Sequence, residues 1–169
     1  ALARARGGVV WGGCGTTGPR CPATTRLILQ GKAHDAFLSR LVDRTRAMNL
    51  GDGRKTGTDV GPLVNEGGRE KVERYVDIGQ SEGADLLCGG RRPEGREYDN
   101  GYFFEPTIFG RVEQGMRVEQ EEIFGPVLSV LRVDRPEEAF AINNGVKYGL
   151  SSSVYTRDVN VSFRALNEL

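Results

Sequence analysis

Apolar residues along the chain follow two spacings, one typical of amphipathic helices and one typical of buried strands. Apolar side chains three and four positions apart predict helices, and these lie at 33–48, from Asn65 to about Gly83, from Pro136 to about Lys147, and from Val159 onward. Short apolar runs bounded by turn residues predict strands, and these lie at 25–30, 84–90, 102–109, 127–133 and 150–156. Strands that alternate with helices predict an α/β fold with a mostly parallel sheet flanked by helices.

Two features refine this pattern. Pro106 lies inside the run 102–109 and has no N–H to donate to a ladder, so we expect this run at an edge or a bend. The N-terminal residues 1–13 carry two arginines and an apolar run of about four residues, which is too short for a signal peptide. We therefore expect the chain to be the interior of a longer protein.

The charge balance and the cysteines narrow the class of protein. Lys plus Arg and Asp plus Glu are equal at 23 each, which argues against a nucleic-acid partner. No apolar run approaches the roughly 20 residues that a membrane span requires, so we expect no membrane association. The three cysteines form no C-x-x-C pair and the only histidine is His34, so we expect no disulfide framework, no metal site and a reducing, cytoplasmic location.

One cysteine lies in a setting that suits a nucleophile. Cys21 stands in "GTTGPRCPATT", between a glycine-rich loop and the strand predicted at 25–30. Pro22 suits the first position of a helix, and a thiol at a helix N-terminus beside Arg20 has a lowered pKa. From these residues alone, a nucleophile and an idle structural thiol both stay open.

The segment "EEIFGPV" combines a carboxylate, an aromatic ring and a rigid bend. Glu122 precedes Phe124, and Gly125 with Pro126 then leads into the apolar run 127–133. A carboxylate in such a place can accept hydrogen bonds from sugar hydroxyls, and an aromatic ring can pack on a ribose or a flat ring. A solvated acidic turn is the alternative reading.

Five segments in order resemble the aldehyde dehydrogenase superfamily, and most closely its semialdehyde-oxidising branches. They are "GTTGPRC…TRLIL", "GDG…TDVGPLVNE", "GYFFEPTIF", "QEEIFGPVLSV" and "NNGVKYGLSSSVYTRDV". The resemblance runs from about Ala5 to Leu169. It implies that residues 1–169 are a partial catalytic domain, truncated at both ends, without the family's cofactor-binding domain and C-terminal oligomerisation segment.

The resemblance also implies a reaction. Cys21 would be the catalytic nucleophile, Glu122 would contact the nicotinamide ribose, and Phe124 would pack by the nicotinamide of NAD or NADP. An aldehyde or semialdehyde would be oxidised to a carboxylic acid through a cysteine thiohemiacetal and a thioester. The full-length protein would be a homodimer or homotetramer, and the chain alone would be inactive.

Two alternatives remain from the sequence. In a CoA-acylating aldehyde dehydrogenase, CoA rather than water would resolve the thioester. A non-catalytic pseudoenzyme or interaction fragment is the other, because Pro19 stands where the family has a glutamine and Pro22 where it has a threonine.

Overall fold

Helices and strands alternate along the chain in the computed structural model, which describes residues 2–15 and 23–169. The helices are α1 Leu2–Gly13, α2 Gly31–Arg46, α3 Glu66–Ser81, α4 Arg117–Gln120, α5 Pro136–Asn144 and α6 Val159–Glu168, with a short 3₁₀ turn at Arg96–Tyr98. The strands are β1 Arg26–Gln30, β2 Asp85–Cys88, β3 Thr107–Gly110 and β4 Val127–Val133.

The four strands form one sheet in the order β1-β4-β3-β2. The central strand β4 pairs in parallel with β1 and with β3, whereas β2 pairs antiparallel to β3 at one edge. The mostly parallel sheet is therefore confirmed, with an antiparallel edge that the sequence pattern did not indicate. The sequence of β4, VLSVLRV, is buried except at Arg132, as expected of a strand covered on both faces.

The sheet separates two hydrophobic cores. Leu128 and Val130 of β4 pack with α1 and α2 on one face, and Val127 and Leu131 pack with α3 and α4 on the other. This alternation follows from the two-residue period of a strand. The result is a three-layer arrangement in which each face of β4 contributes apolar area to a separate core.

Helix α3 forms where the sequence predicts it. The Asn65 side chain accepts a hydrogen bond from the Gly68 N–H at 2.8 Å, an N-cap that contributes about 1 kcal/mol. The predicted apolar stripe is the buried one, namely Val72, Tyr75, Val76 and Gly79. Gly79 has a packing role, because a Cβ there would lie 2.9 Å from Cζ of Phe109 in β3.

Three predictions of local structure are wrong. Residues 150–156 form no strand, since they find no ladder partner among the described residues and lie mostly exposed. Only the end of 102–109 joins the sheet, because Pro106 cannot donate and β3 begins after it. Residues 23–25 are irregular and lead into β1, so no helix follows Pro22.

Helix α1 was not predicted from the sequence. Its twelve residues, LARARGGVVWGG, include four glycines that blur the helical period. The helix nevertheless buries Ala5, Val9 and Val10 in the core with α2. Glycine also allows close approach, since a Cβ at Gly12 would lie 2.4 Å from Oγ1 of Thr24. Within the described ranges, no helix is long and apolar enough to cross a membrane.

Candidate functional site

Of the three site residues predicted from sequence, the structure describes Glu122 and Phe124. Cys21 lies outside the described residues. Glu122 is exposed, and Phe124 is 39% exposed, in the segment that joins α4 to β4. The residues nearest to Cys21 that are described, 23–25, form the irregular start of β1.

The segments that carry Cys21 and Phe124 enter neighbouring strands. Strands β1 and β4 are parallel, with Arg26 paired to Ser129, and the Ser129 N–H donates to the Thr25 carbonyl at 2.9 Å. The segments 23–25 and 122–126 precede these strands, so both lie at the amino-terminal edge of the sheet. Sequence analysis had indicated only that each of the two segments leads into a predicted strand.

Helix α3 fixes the backbone of the "EEIFGPV" segment. The Lys71 ammonium donates to the Glu122 carbonyl oxygen at 2.7 Å. Gly125 packs directly on this helix, since a Cβ there would lie 2.3 Å from Cγ2 of Val72. Phe124 has a φ of 63°, a left-handed conformation that costs a residue with a side chain roughly 1–2 kcal/mol. The backbone is anchored, while the Glu122 carboxylate and part of the Phe124 ring face solvent.

The two adjacent glutamates have different surroundings. Arg117 donates to both Glu121 carboxylate oxygens, at 2.9 and 3.0 Å, and the Tyr75 hydroxyl donates to one of them. The hydrogen bonds from Arg117 and Tyr75 lower the pKa of Glu121 to about 2. Glu121 is thus used to hold the segment against α3, which leaves Glu122 as the exposed carboxylate.

A groove opens beside this segment. Its volume is about 1010 Å³, and Ala23, Thr25, Glu122 and the loop 148–152 are among its lining residues. Ala23 and Thr25, which follow Cys21 in the sequence, therefore line the same cavity as Glu122. Phe124 is not among the lining residues.

Sequence reasoning missed a buried ion pair at this groove. The Arg26 guanidinium lies 3.0 Å from the Glu119 carboxylate, whose side chain is fully buried. Both residues line the groove. They are 93 positions apart, so no local sequence signal could have paired them.

The two cysteines that the structure describes do not resemble nucleophiles. Cys14 is 1% exposed and Cys88 is 8% exposed, and both pack in the core beneath α1 and α2. Burial raises the pKa of the Cys14 thiol to about 12, and burial raises that of Cys88 as well. A raised pKa removes the thiolate that a nucleophile requires at neutral pH.

Comparison with known proteins finds a matching family and similar enzymes. The sequence model of the aldehyde dehydrogenase family matches residues 1–169. A betaine aldehyde dehydrogenase from Mesorhizobium japonicum is 41% identical over 168 residues, which are 99% of this chain and 34% of that protein. An alpha-ketoglutarate semialdehyde dehydrogenase from Haloferax volcanii is 42% identical over 158 residues, which are 94% of this chain and 32% of that protein.

A solved structure has the same fold. The crystal structure of betaine aldehyde dehydrogenase from Staphylococcus aureus in complex with NAD⁺ matches with a TM-score of 0.96 at 34% identity, over 99% of this chain and 33% of that chain. The chain spans only 34% of the length of the betaine aldehyde dehydrogenase from Mesorhizobium japonicum.

Proposed function

Because the chain belongs to the aldehyde dehydrogenase family, we propose that it forms part of the catalytic centre of an enzyme that oxidises an aldehyde or semialdehyde to a carboxylic acid with NAD⁺ or NADP⁺. Cys21 is the proposed nucleophile. Its thiolate would add to the carbonyl carbon, hold the substrate as a thiohemiacetal and, after oxidation, as a thioester that water cleaves. Cys14 and Cys88 are buried and their thiol pKa values are raised, so of the three cysteines Cys21 is the candidate for the nucleophile.

The pairing of β1 with β4 is the observation that carries this proposal. Arg26 pairs with Ser129, and Cys21 precedes Arg26 by five residues just as Phe124 precedes Ser129. Segments of equal length therefore start from Cys21 and Phe124 and enter adjacent parallel strands. Ala23, two residues after Cys21, lines the same groove as Glu122. This arrangement supports a nucleophile that works beside the cofactor residues.

The described residues fit one end of a nicotinamide nucleotide. Glu122 offers an exposed carboxylate on a backbone that Lys71 anchors, which suits two adjacent ribose hydroxyls. Phe124 offers a partly exposed ring that can pack on a flat heterocycle. When bound there, the nicotinamide supplies a hydride acceptor.

Several properties of the whole protein follow as proposals. The remaining cofactor contacts and the base that activates water would come from parts of the protein outside residues 1–169. The chain alone would then be inactive, and the complete protein would be a cytoplasmic homodimer or homotetramer.

The test is a chimera in which this chain replaces the matching segment of the Mesorhizobium japonicum betaine aldehyde dehydrogenase. We expect NAD⁺-dependent oxidation of betaine aldehyde by the chimera and none by the 169 residues alone. Cys21→Ser should abolish turnover. Glu122→Gln should raise the KM for NAD⁺ at least about tenfold, because a hydrogen bond to a charged group contributes about 1.5–3 kcal/mol.

The control is Glu113→Gln, an exposed glutamate that does not line the groove, and it should change neither parameter. Oxidation by the Cys21→Ser chimera at the parent rate would contradict the proposed nucleophile. Acyl-CoA formation in the presence of CoA, with no free acid, would support the CoA-acylating alternative instead.

A further inference from the structure

We propose that Arg26 and Glu119 are positioning residues that hold three walls of the groove in register. The proposal rests on the proposed function, since it concerns the site that Cys21 and Glu122 would form. The three walls are the start of β1, the segment 119–122, and the last turn of α5 with the loop that follows it.

Arg26 lies at the start of β1 and donates hydrogen bonds to the other two walls. Its Nη1 donates to a Glu119 carboxylate oxygen at 3.0 Å and to the Ile142 carbonyl at 2.9 Å. Its Nη2 donates to the Asn143 carbonyl at 3.1 Å. The two carbonyls lie in the last turn of α5, where a cation also interacts favourably with the helix dipole. The planar guanidinium can satisfy these acceptors together, which an ammonium group cannot do in the same geometry.

Glu119 completes the connection. One carboxylate oxygen accepts from Arg26, and the other accepts from the Gly115 N–H at 3.1 Å and from the Gln120 side-chain amide. That amide also donates to the Gly145 carbonyl at 3.2 Å, so α4 is tied to the loop after α5 a second time. Every bond in this network joins two walls of the groove or stiffens one of them.

The places of the pair in the sequence connect it to the proposed chemistry. Arg26 follows Cys21 by five residues, and Glu119 precedes Glu122 by three. A buried ion pair adds little net stability, because desolvation of both charges offsets their attraction. The pair joins the strand that follows Cys21 in the sequence to the segment that carries Glu122, and this connection therefore points to alignment of these two segments.

The experiment compares Arg26→Met/Glu119→Gln with a matched pair, Arg92→Met/Glu73→Gln, which removes an ion pair that does not line the groove. The glutamine at 119 retains an acceptor for the Gly115 N–H, so removing both charges leaves no buried ion unpaired. In the complete enzyme, assembled as the chimera above, we expect kcat to fall on the order of 100-fold with the KM for aldehyde unchanged, because misplacement by about 1 Å costs that much.

Two further readouts separate alignment from stability. Arg26→Lys, with Glu119 intact, should lower kcat less than Arg26→Met/Glu119→Gln does, since the positive charge remains while the planar guanidinium is lost. In the 169-residue chain itself, Arg26→Met/Glu119→Gln should speed amide hydrogen exchange at 115–122 and 143–150, with exchange in β4 and the midpoint of thermal unfolding close to those of the parent.

The positioning role would be overturned if Arg26→Met/Glu119→Gln lowered thermal stability along with kcat. It would also be overturned if the parent chimera were active and this variant had the same kcat. An inactive parent chimera would count against the proposed function. In that case, unchanged hydrogen exchange at 115–122 and 143–150 in the chain itself would overturn the positioning role independently.

Discussion

The left-handed backbone at Phe124 predicts an unusual order of stability among its variants. Phe124 has a φ of 63° and is 39% exposed. Phe124→Ala and Phe124→Gly both remove the partly buried ring, and this costs each about 1–2 kcal/mol, a fraction of the roughly 1.5–3 kcal/mol for a fully buried side chain. The two variants differ only in the Cβ and in the freedom of the backbone.

The backbone contributions oppose each other. The left-handed conformation costs alanine about 1–2 kcal/mol and costs glycine almost nothing. Glycine loses about 0.4–1 kcal/mol relative to alanine, because its unfolded chain has more freedom. We therefore expect Phe124→Gly to be more stable than Phe124→Ala by about 0.5–1 kcal/mol, the reverse of the order in a helix.

Equilibrium unfolding in urea measures this difference, provided that the slope of free energy against urea is the same in both variants. The matched control is Phe163, an exposed phenylalanine within α6, where Phe163→Gly should be less stable than Phe163→Ala by about 0.5–1 kcal/mol. If Phe124→Ala equals or exceeds Phe124→Gly in stability, the backbone at this position is not the source of strain.

Three further predictions concern the same region and the cysteines. Lys71→Met should raise the KM for NAD⁺ of the chimera about tenfold with little change in thermal stability, because it removes the charged donor to the Glu122 carbonyl; an unchanged KM would separate Lys71 from the site. The pKa of Glu121 is lowered from 4.5 to about 2, so its contribution is present above pH 4.5 and is lost as the pH falls through about 2. Unfolding midpoints across this interval should therefore depend less on pH in Glu121→Gln, and equal slopes would contradict the assignment. Iodoacetamide at neutral pH should modify Cys21 in the folded chain and spare Cys14 and Cys88 until urea is added, and early modification of Cys14, detected by mass spectrometry, would be evidence against its burial.

Sequence predicted those elements whose local signals and tertiary surroundings agree. The Asn65 cap and the apolar stripe of α3 act within one helix, and β4 is apolar because both of its faces are covered. Residues 150–156 include the Val, Tyr and Thr that are typical of strands, but a strand also needs a ladder partner, and these residues pair with no strand in the described part of the chain. Helix α1 is the reverse case, since its packing on α2 compensates for four glycines.

The candidate site shows the same division. Sequence indicated Glu122 and Phe124 because they directly precede a rigid bend, and the resemblance to a family gave them roles that remain proposals. The local pattern could not show that Glu121, and not Glu122, is held by side-chain hydrogen bonds, because these bonds come from Arg117 and from Tyr75 of a distant helix. It also could not show Arg26 beside Glu119, which depends on how α4 packs across the start of β1.

The partition of the interior by the sheet has a consequence for inherited or engineered changes. The backbone that leads to Cys21 leaves α1, which belongs to one core, whereas the segment with Glu122 rests on α3, which belongs to the other. A volume change beneath either layer would tilt one half of the groove against the other without touching it. Substitutions deep in either core, such as at Val76 or Val130, are therefore expected to change the shape of the groove from a distance.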